Sequence, residues 1–74
     1  MSKIPRLTAR QLISALKKAG FEVIRIKGSH HYLQHPGRRS TVVPVHSGET
    51  IGVGLMNKIL SDCEIGVEEL KKYL

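Results

Sequence analysis

The sequence predicts an α+β fold, a two-layer sandwich in which helices share one face of a small antiparallel sheet. Three observations carry this. Apolar residues recur at helical spacing near both ends of the chain, and three short β-branched runs lie between them. The connections among those runs are too short for crossover helices, so the strands form a meander and the helices pack together on one side of it. With 74 residues there is room for one core, and residues 1–74 read as a single domain. A chain this short buries only about 60% of the surface that its unfolded state exposes, so the core is marginal.

Taken in order, "LTARQLISALKKAG" is the clearest helix, expected at about residues 8–19. Thr8 and Gln11 have capping-box spacing, in which each side chain satisfies a backbone N–H of the first turn. Ala9, Leu12, Ile13, Leu16 and Ala19 make an apolar face, while Arg10, Ser14, Lys17 and Lys18 fall on the other side. Lys17 and Lys18 suit the negative end of the helix dipole, and Gly20 supplies the stop. From Phe21 the period changes. "FEVIRI" alternates apolar with charged residues, "KGS" turns, "HHYLQH" extends again, "PGRR" turns, and "STVVPVH" is a third strand. Pro44 has no N–H for the ladder, so this strand is an edge or ends there. "SGETIGVG" reads as a loop. "VGLMNKILSD" returns to helical spacing, and "GVEELKKYL" is a short final helix with acids in its first turn and lysines in its last. The whole is α-β-β-β-α with a short C-terminal helix.

The net charge of +6 is unevenly spread. Residues 1–48 hold nine Lys and Arg against Glu22 alone, whereas residues 49–74 are net acidic. A basic half of this kind predicts a polyanion-binding surface. Ordinary solubility charge is the bland alternative. Membrane binding is disfavoured, because no uncharged run approaches the ~20 residues of a spanning helix and no basic helix face carries Trp or Phe anchors. Cys63 is the lone cysteine, so no intrachain disulfide exists, and Met1–Arg10 has no apolar core of the kind a secretory leader carries. Both predict a cytoplasmic protein.

The element order is also that of the double-stranded RNA-binding fold. Within it stands the segment "GFEVIRIKGSHHYLQHPGRRSTVVPVH". The Gly20-Phe21 helix exit, the Lys27-Gly28-Ser29-His30 turn, the Pro36-Gly37-Arg38 turn and the Pro44-Val45-His46 motif, in this order and spacing, resemble the HicA family of bacterial and archaeal toxins. The resemblance covers essentially the whole chain. It implies a double-stranded RNA-binding-like fold, mRNA cleavage without a cofactor, and inhibition by a cognate HicB antitoxin encoded beside it. It also implies that His30, the histidine of the Gly-Ser-His motif, is catalytic.

The residues suit that chemistry. Cleaving RNA without metal requires a base to take the proton from a 2′-hydroxyl, and imidazole changes charge near neutral pH. Arg25, Lys27, Arg38 and Arg39 lie close in sequence to offset charge on the phosphate, Gly28 lets backbone N–H groups approach it, and Ser29 can donate a hydrogen bond. Of the other histidines, His31 points to the opposite face of its strand and is expected to be structural, beneath the sheet. His35 reads as an exposed turn residue, and His46 as either a loop anchor or an assistant at the site. Four histidines raise the question of a metal site, but no zinc-type spacing is present. A serine hydrolase is disfavoured because no acid stands near Ser29 to orient an imidazole. The main alternative is a non-catalytic RNA-binding module. Having only Phe21, Tyr32 and Tyr73 as aromatics argues against a stacking platform for single strands, although Tyr32 shares a strand face with His30 and can stack on one base. Neither helix carries the face of a DNA major-groove reader.

Overall fold

The computed structural model describes residues 4–74, the side chain of Arg38 excepted. Helix α1 (Ala9–Lys18) leads into strands β1 (Glu22–Lys27), β2 (His30–His35) and β3 (Arg38–Pro44), followed by α2 (Val53–Cys63) and the short α3 (Val67–Lys71). The strands are antiparallel in the order β1-β2-β3, and one face of the sheet packs on the helices. This is the α-β-β-β-α arrangement of the double-stranded RNA-binding-like fold.

The ends of α1 are set by local chemistry. Thr8 N–H donates to Gln11 Oε1 at 2.9 Å and Gln11 N–H donates to Thr8 Oγ1 at 3.2 Å, closing the capping box. At the other end Gly20 N–H donates to Lys17 O and Phe21 N–H to Leu16 O, each at 3.0 Å, the paired bonds of a Schellman motif. That motif needs a positive φ, and Gly20 has φ +105°. Phe21 then turns inward beside Leu16 into the core formed with Leu12, Leu33, Val43, Met56, Ile59 and Leu70, all at most 2% exposed.

Gly20 is also held by its neighbour. A Cβ added there lies 2.8 Å from His35 Nε2, inside van der Waals contact. His35 cannot readily retreat, because its Nδ1 accepts the Gly37 N–H at 2.9 Å and its ring stands 5.0 Å from that of Phe21. Half-buried His35 is therefore a packing residue, not the exposed turn residue that the sequence suggests. A Gly20→Ala protein is expected to lose about 1–3 kcal/mol, read as a lower urea midpoint. Within a His35→Ala background, which is itself less stable, the same glycine substitution is expected to cost only the backbone part of that loss.

Two bulges set the sheet's faces. Between Val23 and Arg25 the β1–β2 register shifts, so Val23 faces the core opposite Leu33 while Ile26, three residues on, faces the same side opposite His31. Ile24 takes up the extra residue and is 56% exposed. A second shift lies between Leu33 and His35. By alternation His31, Leu33 and His35 share the helix side, and His30, Tyr32 and Gln34 the outer side. β3 ends at Pro44, as its missing N–H requires, and the chain rejoins the sheet when Val45 N–H donates to Ser29 O at 2.7 Å. On the far side of β3, buried Thr41 donates to Asp62 Oδ2 at 3.3 Å, which docks α2.

Candidate nucleic-acid interface

Lys27 and His30 form the cross-strand pair that closes the β1–β2 hairpin, leaving Gly28 and Ser29 as its two-residue turn. Gly28 has φ +59° and Ser29 is not among the positive-φ residues, the pattern of a II′ turn, whose twist matches that of the strands it joins. A Cβ at Gly28 meets nothing within 4 Å, so its glycine serves backbone conformation and open approach, not packing. Directly at the turn's exit, His30 is exposed on the outer face.

The register gathers a basic patch around it. Arg25 pairs with Tyr32 and Lys27 with His30, so all four side chains rise from the outer face in two adjacent rows. The Arg25 guanidinium lies over the Tyr32 ring, 5.9 Å from its centroid, which steadies a long cation at the site. Neither Arg25 nor Lys27 is in an ion pair among the described residues. Beside Tyr32 lies a hollow lined by Ile24, Ser40, Thr41, Val42 and Asp62.

Not every cation expected near His30 is there. The hairpin reverses the chain, so Arg38 starts β3 opposite His35, at the other end of the sheet from the His30–Pro44 pair. With ~3.3 Å per strand residue, Arg39 stands about 17 Å along the strand from Pro44. It lies 3.8 Å from Glu64 in an exposed pair. The side chain of Arg38 lies outside the described residues. His46 lies in the loop after β3 and lines a hollow with Thr8, Ala9 and Arg10 at the start of α1, a hollow that does not include His30.

The unexpected member is His31. It lies beneath the sheet as alternation requires, but it is not packed away. It is half-buried and lines a groove of about 350 Å³ between α1 and β1, with Arg10, Ser14 and Lys17 along the helix wall. Its Nδ1 is the one buried side-chain polar atom without a hydrogen-bond partner among the described residues. Such an orphan costs about 1–3 kcal/mol. The sequence does carry a signal for this wall: Arg10, Ser14 and Lys17 are spaced four and three apart, one stripe on a helix. Among the described residues no three His, Cys, Asp or Glu side chains are grouped to hold a metal ion. No helix there is long and apolar enough to cross a membrane.

The fold and the basic outer face define a small α+β protein of the double-stranded RNA-binding-like class, with an exposed histidine at a glycine hairpin. A family model described as the HicA toxin of bacterial toxin–antitoxin systems matches residues 9–65, from the first residue of α1 to the end of α2 and just beyond. The chain belongs to the HicA toxin family. No curated protein matches it. Membership makes it a toxin, with an antitoxin as its partner.

Proposed function

We propose that this toxin is a cytoplasmic endoribonuclease that cleaves mRNA without a metal or other cofactor, using His30. The observation that carries this reading is the placement of His30, exposed at the Gly28-Ser29 turn on a face that it shares with Arg25, Lys27 and Tyr32. An RNA strand laid across this face meets cations, an imidazole and one aromatic ring.

In this reading His30 takes the proton of a ribose 2′-hydroxyl. The 2′-oxygen bonds to the adjacent phosphorus as the bond to the 5′-oxygen breaks, and the departing oxygen takes its proton from solvent, which reaches this open face. The products are a 2′,3′-cyclic phosphate and a 5′-hydroxyl. Lys27 and Arg25 offset the charge that builds on the phosphorane, and the Gly28 and Ser29 turn brings backbone N–H groups and the Ser29 hydroxyl near it. Arg38 and Arg39 belong, in this reading, to RNA running away from the site, since Arg39 is at the far end of the sheet. A HicB-like antitoxin neutralises the toxin by covering His30 and setting acidic groups against Arg25 and Lys27.

The test is chemical. RNA made entirely with 2′-O-methyl ribose has the same backbone charge but no attacking hydroxyl. It is expected to bind with affinity within a few-fold of ordinary RNA and to remain uncut. Cleavage of the methylated strand would overturn the mechanism.

A further inference from the structure

The groove between α1 and β1 plays no part in the reaction above. Its polar wall is one-sided in chemistry. Arg10 and Lys17 bring cationic donors, Ser14 a hydroxyl, and His31 an imidazole. None of the chain's six carboxylates lines it, and neither Arg10 nor Lys17 has an ion-pair partner among the described residues. A neutral imidazole carries one N–H in either tautomer, and the Nδ1 of His31 has no partner among the described residues. A groove walled by donors, with an apolar floor of Ile13, Val23, Ile26 and Val45, suits a hydrated anion of phosphate size.

We infer that this groove is a second phosphate-binding site, which holds the backbone of the same RNA whose cleavage is assigned to His30. The inference rests on the proposed RNA substrate. His30 and His31 are successive residues of β2 and face opposite sides of the sheet, and β1 is the edge strand beside them. A strand leaving the His30 face passes round that edge into the groove. The adjacent histidines then divide the work: one acts on the reacting phosphate, and the other grips a neighbouring one.

The test measures binding, not cutting, in a His30→Ala background with a single-stranded RNA oligonucleotide titrated across salt concentrations. Arg10→Ala with Lys17→Ala is expected to weaken binding at least tenfold and to lower the salt slope by about 0.7 for each phosphate that the groove no longer neutralises. Lys71→Ala with Lys72→Ala removes equal charge at the C-terminal helix and is expected to change affinity less than threefold. His31→Phe keeps the ring's bulk, removes both nitrogens, and is expected to weaken binding several-fold while leaving the unfolding midpoint unchanged or raised. A purely structural His31 gives the reverse, a lower midpoint with native affinity. Equal effects from the two double variants, or none from the groove pair, overturn the inference and leave the His30 reading intact. Failure of any RNA to bind the native chain overturns both.

Discussion

A His30→Ala protein is expected to cut RNA ~10²–10⁴-fold more slowly than the native chain, the usual contribution of one acid–base group. It is expected to fold and to bind RNA almost as well. The separation follows from position. His30 is exposed on the outer face, and its side chain stands outside the buried core cluster. Removing it therefore leaves no cavity, and the neighbouring cations Arg25 and Lys27 still attract the strand. The matched result for His35→Ala differs in kind. His35 holds Gly37 and packs on Phe21, so its loss lowers stability while the folded fraction keeps its specific rate. Rate against folded fraction, measured for both variants, distinguishes a reacting histidine from a packing one.

The second large effect is on stability. Phe21→Ala is expected to cost ~3–5 kcal/mol, read from urea unfolding. At ~0.05–0.15 kcal/mol per residue, a domain of this size holds about 4–11 kcal/mol in all. One substitution then removes a large part of the fold's stability, and at the low end it leaves much of the chain unfolded at room temperature. Phe21 is the largest of the fully buried side chains and fills the junction of α1 with the sheet, closing the Schellman turn against Leu16. Its ring also supports His35, so a cavity there loosens two connections at once. A loss below about 1 kcal/mol would show that the junction collapses freely and that the helix exit is not the keystone of the core.

The elements themselves are legible because each carries a local signal. The capping box marks the start of α1, Gly20 its end, and Pro44 the end of β3, all within a residue or two. What sequence order hides is three-dimensional. Arg38 and Arg39 look close to His30 along the chain, but β3 begins opposite His35, so both positions stand at the far end of the sheet from His30. β1 alternates in two phases, Phe21-Glu22-Val23 and Ile24-Arg25-Ile26, and only the bulge at Ile24 explains why Val23 and the exposed Ile26 both lie on the helix side of the sheet. His35 shares parity with Leu33, which places it inside, yet the Pro36-Gly37 turn beside it suggests exposure. The end of α2 carries no glycine. There Glu64 takes φ +56° itself, and nothing in its residue type announces that. Alternation puts His31 beneath the sheet, where it lies, but a strand pattern cannot show that α1 leaves a groove there.

Whether His30 cleaves RNA is decided by single-turnover cleavage of a labelled RNA by the purified chain in excess chelator, with the product ends identified. Cleavage is expected to be indifferent to chelator and to leave fragments that end in 2′,3′-cyclic phosphate. Tight binding with no cutting would contradict it and make this face one that holds RNA without reacting. Cutting that stops with chelator, or that leaves a 5′-phosphate, would equally remove His30 from the role assigned to it.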